Sequence, residues 1–234
     1  LSLSLLFFSI VRTTLLKEAT MADVSVCLLT YGDYPELLER SVSSVLDYCP
    51  AQKIQLIVGA NAPSARSEAF LSVLERSKNA TVLRSEDNIN KCPMMSKMFD
   101  RVESPLIWWF DDDSHIVEPS AFDRWTDAAR TLPIATASWG HVFYTGGSEY
   151  LKSQARSAPW FKGRPFEDNW WFPTGGCWMA KTHVVEEIGW PHFGLIKRQD
   201  DVLFGEALRQ NAYAVRDTGP MGVRISDHDR RGVE

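Results

Sequence analysis

SPLIWWFDDDSHI, residues Ser104 to Ile116, is the stretch on which the reading of this chain turns. Leu106, Ile107, Trp108, Trp109 and Phe110 make an unbroken apolar run of strand length, rich in aromatics and without polar alternation. Such a run suits a strand covered on both faces. It stops on Asp111, Asp112 and Asp113. Three carboxylates cannot all be buried unpaired, because desolvating each charge costs on the order of several kcal/mol. They are therefore placed at a strand mouth, where they repel one another unless a cation holds them. Hard oxygen donors of this kind suit Mg²⁺ or Mn²⁺ sharing the phosphate oxygens of a substrate. A solvated acidic turn after a core strand is the other reading of the same residues.

Upstream, Val24 to Thr30 (VSVCLLT) is a second buried-strand pattern, left through Tyr31-Gly32-Asp33. Pro35 to Tyr48 carries apolar residues at helical spacing, with Pro35 in its first turn. Ile54 to Val58 reads as a strand running into the turn formers Gly59-Ala60-Asn61-Ala62-Pro63-Ser64. Ser67 to Ser77 reads as a helix and Ala80 to Leu83 as a short strand. Cys92 to Val102 reads as a helix whose methionines suit core packing. This alternation predicts an α/β fold, a mostly parallel sheet flanked by helices. Ligands of such sheets bind beyond the carboxyl ends of the strands. The Thr30 turn, the Gly59 loop and the Asp111 cluster then share one edge. No Gly-x-Gly-x-x-Gly follows the first strand, which argues against a dinucleotide fold.

Downstream, Pro119 to Arg130 is expected to be a helix and Ile134 to Val142 a strand. Gly146 to Phe172 reads as a long irregular segment in which Lys152, Arg156, Lys162 and Arg164 interleave with aromatics. It could clamp a nucleic-acid backbone, stack on sugars or bases, or be a solvated excursion held by its tryptophans. Gly175 and Gly176 precede an expected strand at Cys177 to Ala180, and paired glycines there suit a close approach of backbone to a ligand. Asp200 and Asp201 open a helix; such acids serve as dipole partners, and a carboxylate fixed there is also a rigid mount for a general base. His228 lies in a polar tail.

Formal charge is −5 over 234 residues and 44% of residues are hydrophobic, an ordinary globular composition that does not advertise a nucleic-acid binder. Cys27, Cys49, Cys92 and Cys177 show no metal-ligand spacing and read as reduced thiols. Residues 1–20 are apolar at first, yet too short to span a bilayer and without a preceding basic region. They are expected to be a non-native or disordered leader, with residues 21–234 forming one domain whose donor half is 21–116 and acceptor half 117–234. No membrane partner is expected, and the cytoplasm is the expected location.

Taken together, VSVCLLTYGDYPELLERSVSSVL, EDNINKCPMM, WWFDDDSHI and QDDVLFGEALRQ resemble the nucleotide-sugar glycosyltransferases of the GT-A fold, closest to the inverting family 2. The resemblance implies a metal-dependent enzyme moving a sugar from a nucleotide-sugar, a UDP-sugar first, to an acceptor hydroxyl. It implies that Thr30 and Tyr31 meet the nucleobase, that Asn88 and Lys91 lie near the donor phosphates, and that Asp111 and Asp112 contact the donor. It further implies Asp113 and His228 as metal ligands, Asp201 as the catalytic base, and Asp200 beside it on the acceptor side. Where the family often has Asp after its second strand, this chain has Gly59-Ala60-Asn61, leaving Asn61 as the polar candidate for the base. Trp170, Trp171 and Trp178, with Gly175 and Gly176, are the expected sugar or acceptor surfaces. Resemblance to compact phage-type enzymes makes a hydroxymethylated pyrimidine in DNA the leading acceptor, with glycans and small molecules as alternatives. A non-catalytic binding module and a metal-dependent nucleotidyltransferase are the rival classes.

Overall fold

The computed structural model describes residues 22–77, 80–192, 194 and 199–225. The chain opens with β1 (Val24–Tyr31), α1 (Pro35–Tyr48), β2 (Ile54–Asn61), α2 (Ala65–Leu74), β3 (Ala80–Ser85), α3 (Lys91–Phe99), β4 (Leu106–Asp111) and the short β5 (His115–Ile116). It continues through α4 (Ala121–Thr131), β6 (Thr136–Gly146), α5 (Glu149–Ser157), β7 (Asn169–Lys181), α6 (Thr182–Ile188), α7 (Asp200–Gln210), β8 (Ala214–Asp217) and β9 (Val223–Arg224). The main sheet has seven strands in the order β3-β2-β1-β4-β7-β6-β8, and β5 pairs with β9.

Strands β3, β2, β1 and β4 run parallel. Strand β7 is antiparallel to both β4 and β6, which makes the sheet mixed. The strand order reverses between β1 and β4, and the crevice beyond the carboxyl ends there is where open α/β sheets bind ligands.

The run Leu106–Phe110 is covered on both faces because its side chains alternate between two cores. Trp108 and Phe110 pack with α1, α2 and α4, while Ile107 and Trp109 pack with α3, α6 and α7. Met94, Met95 and Met98 of α3 are buried in the second of these clusters. Strand β2 extends through Gly59 to Asn61, so this stretch is ladder rather than the turn read from its composition. Glycine is needed at 59 because a β-carbon would lie 2.5 Å from Met98 Sδ.

The segment from Gly146 to Phe172 is far less irregular than its composition implies. It contains α5, where Ser148 Oγ accepts from Leu151 N and Leu151 and Ala155 face the core. Arg164 and Lys162 backbone groups are held by Gln210, and Asn211 donates to Trp160 O. Polar side chains of α7 thus fasten this stretch to the domain. Lys152 and Arg156 pair with Glu149 of the same helix.

Candidate active site

The triple-aspartate turn is built so that its members face different ways. Asp112 is 1% exposed; its Oδ2 accepts from Thr30 Oγ1 at 2.5 Å and its backbone N donates to Leu29 O. Ser114 N closes the turn on Asp111 O. Two serines on the buried face of α1 secure it: Ser41 Oγ donates to Ser114 O, and Ser44 Oγ accepts from Ile116 N. Polar residues there satisfy backbone groups that would otherwise be buried unpaired. Of the three carboxylates at the strand end, Asp112 is buried and bonded to Thr30, whereas Asp111 and Asp113 are half-buried.

A side chain supplies the cation beside Asp111. Lys91 Nζ lies 3.1 Å from Asp111 Oδ1 and 3.1 Å from Oδ2, 3.3 Å from Asp200 Oδ2 and 3.0 Å from Gly175 O, over the Trp109 ring. Burial alone would push the ammonium down, but Asp111 and Asp200 outweigh it and hold Lys91 above the usual lysine range. Burial raises Asp111 in turn, with Lys91 and the Trp109 Nε1–H bond opposing.

Asp201 stands beside this cluster. Its Oδ2 and Lys91 Nζ would each be 3.3 Å from a β-carbon at Gly175, so glycine lets the strand pass both groups. Burial, reinforced by the adjacent Asp200 charge and opposed by Lys91, pushes Asp201 up to about 6. A carboxylate there is mostly ionised at neutral pH yet more basic than an ordinary one, the property a general base needs.

A cavity of about 180 Å³ opens against the carboxyl ends of β1, β2 and β4, lined by Leu29, Tyr31, Asn61, Asn88, Asn90, Lys91, Asp111 and Asp112. Asn61 is 1% exposed and its amide donates to Asn90 O, while its Oδ1 has no partner among the described residues. A buried acceptor left open at a cavity wall is a place for a ligand donor, because leaving it unmade costs about 1–3 kcal/mol. Asn88 Oδ1 accepts from Asn90 N and is exposed at the rim. Asn90 escaped the sequence reading; the Asn-x-Asn spacing before α3 was its only signal.

The site thus unites Thr30, Tyr31, Asn61, Asn88, Lys91, Asp111, Asp112, Gly175, Asp200 and Asp201. It does not bring in all the tryptophans. Trp178 is 2% exposed, stacked on Trp109 and packed on Phe204. Trp170 is 1% exposed, lying over Gly147 and stacked on Phe166. Both rings belong to the core, which corrects their expected place on an acceptor surface. Trp171 keeps a free face at 52% exposure, beside Tyr144 across the hairpin at 5.0 Å. Gly176 is buried in β7, and His228 lies outside the described residues. No group of three or more His, Cys, Asp or Glu able to hold a metal occurs among the described residues. Asp113, a hard-oxygen donor in the turn after β4, fits a divalent ion that completes its shell with water and substrate phosphates, as Mg²⁺ commonly does. No helix among the described residues is long and apolar enough to cross a membrane.

No curated protein matches the chain. Among solved structures, the mannosyltransferase PcManGT from Pyrobaculum calidifontis in complex with GDP-Man and Mn2+ matches with a TM-score of 0.64 at 12% identity. The match covers 96% of this chain and 65% of that one, so the chain spans about two thirds of the mannosyltransferase's length and shares its GT-A fold. The model of the family described as Glycosyl transferase family 2 matches residues 25–189, and this chain belongs to that family.

Proposed function

We propose that the chain is an inverting transferase that moves a sugar from a nucleoside-diphosphate sugar to an acceptor hydroxyl, with Asp201 as the base. The observation that carries this is the convergence of the Asp111 strand end and the Asp200-Asp201 helix start around Lys91 and Gly175, beside a cavity with an open amide acceptor. Tyr31, Asn61 and Asn88 form the base and ribose wall. Asn61 Oδ1 accepts a ring N–H, which uracil and guanine both supply; the related mannosyltransferase holds GDP-Man. UDP- and GDP-sugars are thus the leading donors.

In the reaction, the acceptor oxygen attacks the anomeric carbon from the face opposite the diphosphate and Asp201 takes its proton. The bond from carbon to phosphate oxygen breaks, and its electron pair leaves with the diphosphate. One base with no protein nucleophile gives inversion. Mn²⁺ or Mg²⁺, when bound, neutralises the leaving diphosphate, and Asp113 is the residue that would hold it.

The acceptor side is less constrained. Lys152 and Arg156 are occupied by Glu149, which leaves exposed Lys162 and Arg164 as the basic residues of that segment. Hydroxymethylated DNA is therefore one acceptor class to test beside glycans. The test is release of nucleoside diphosphate from a panel of UDP-, GDP- and TDP-sugars with Mn²⁺ or Mg²⁺, with and without plain DNA, hydroxymethylated DNA and oligosaccharides. Release that depends on metal and is lost in Asp113→Ala and Asp201→Ala supports the reading. Folded protein that releases nothing across the panel, yet binds sugars or DNA, overturns it in favour of a binding module.

A further inference from the structure

The resemblance to family 2 assigns Lys91 to the donor phosphates, but its geometry says otherwise. An ammonium carries three N–H donors and no acceptor. Two protein groups accept from it, the Asp111 carboxylate at 3.1 Å and the Gly175 carbonyl at 3.0 Å, and Asp200 Oδ2 lies in ion-pair contact at 3.3 Å. These groups come from three elements, the end of β4, the middle of β7 and the first residue of α7. Lys91 is itself the first residue of α3, so four elements meet on one nitrogen.

The backbone is bent to deliver both ends of the contact. Asn90, which precedes Lys91, has φ 72°, and Gln199, which precedes Asp200, has φ 85°. Residues other than glycine seldom adopt that region, and they persist there only where the surrounding structure imposes it. Asn61, donating to Asn90 O, fixes the first of these bends from the cavity side.

We propose that Lys91 is a positioning residue: its ammonium clasps the Asp111 strand to the Asp200 helix and so fixes Asp201 at a set distance and charge environment relative to the donor. The proposal rests on Asp201 being the base. The charged and titratable groups acting on Asp201 among the described residues are Asp200 on its own helix, Lys91 from α3 and Asp111 from β4. The Cys92 thiol, pushed up to about 12 by burial, stays neutral over the working pH range. Removing Lys91 takes away the one positive charge of this group, and removing Asp200 takes away a negative one.

The test compares wild type with Lys91→Met, Lys91→Arg and Asp200→Asn by three readouts. These are UDP and GDP affinity by calorimetry, the split of kcat against KM, and titration of the Asp201 carboxyl carbon by NMR. In Lys91→Met, nucleoside diphosphate affinity stays within about threefold, kcat falls about 100-fold as the base loses its placement, and the Asp201 midpoint rises by about one pH unit. Asp200→Asn moves that midpoint down and leaves no carboxylate uncompensated, so it serves where Lys91→Met does not fold. Lys91→Arg keeps the charge without the three-way geometry; it holds the midpoint and still loses about tenfold in kcat. A tenfold loss of diphosphate affinity with kcat intact in Lys91→Met, unmoved midpoints in both Lys91→Met and Asp200→Asn, or full activity in Lys91→Arg would overturn the proposal. Wild type silent on every donor would refute the transferase reading alone, because the NMR titration decides the clasp without turnover.

Discussion

Asp201→Asn should make the protein more stable at neutral pH while removing its activity. Folding moves Asp201 from an ordinary 3.8 to about 6, chiefly by burial and by Asp200. A carboxyl raised on folding is held more readily when protonated, so its contribution is most favourable at low pH and is lost as pH climbs through 6. At about 1.4 kcal/mol per pH unit the ionised group costs the folded state about 2–3 kcal/mol above pH 7. The neutral amide, of the same shape, escapes that cost. For a chain of this length 1 kcal/mol moves the melting midpoint by about 2–4 °C, so Asp201→Asn should melt between about 4 and 12 °C higher at pH 7.5. At pH 4 wild-type Asp201 is already protonated and the gain should shrink below about 1 kcal/mol. Thermal melts of both proteins from pH 4 to 8, beside donor turnover at each pH, make the measurement. Wild-type turnover should fall about tenfold per pH unit below 6. A variant that melts at or below wild type at pH 7.5, or gains equally at both pH values, would show that Asp201 carries no such burden.

Three further outcomes test the architecture around the site. Gly205→Ala puts a β-carbon 2.1 Å from Trp171 O, a backbone clash that no rotamer relieves, and should destabilise by about 1–3 kcal/mol in denaturant titration despite alanine's better helix propensity. Trp178→Ala should cost about 3–5 kcal/mol and Trp171→Ala no more than about 1.5, since only the former ring is in the core; equal losses would contradict the packing. Asn61→Ala removes the open amide acceptor and should raise the donor KM about tenfold with kcat little changed, and an unaffected KM would take Asn61 out of base recognition.

The first half of the fold was legible because local pattern and tertiary role agree there. Leu106–Phe110 has to be apolar on both sides when helices cover both faces, and the Met94, Met95 and Met98 spacing has to be helical to fill one of those faces. The second half depends on pairing that no local pattern encodes. Pro173-Thr174-Gly175-Gly176 has turn composition, yet it lies inside β7, since only the partners β4 and β6 decide that the stretch is extended. Helix α5 went unread because just two of its residues, Leu151 and Ala155, are buried, and its Ser148 cap was masked by charges and aromatics on either side. At the site, residue types pointed to the right neighbourhood but not to orientation. Nothing in three successive aspartates says that the middle one turns inward to Thr30, or that the first pairs with Lys91.

Strand β7 changes partner geometry partway along. Its register with β6 jumps from Val142↔Pro173 to Gly140↔Trp178, so the intervening residues leave the regular ladder on that side. This slack is what frees the Gly175 carbonyl to turn toward Lys91. The same discontinuity makes a seam between two units of the sheet. The arm formed by 142–146 and 169–173 has its own pairing, and it meets the rest of the protein mainly through Trp170 and Phe172. An arm of different length or sequence that keeps those two anchors can be exchanged without shifting Cys177 or Trp178 onto the wrong face. The outer arm and the Cys177–Lys181 part of β7 are therefore separable along one strand, which gives this scaffold a natural cut point for recombination.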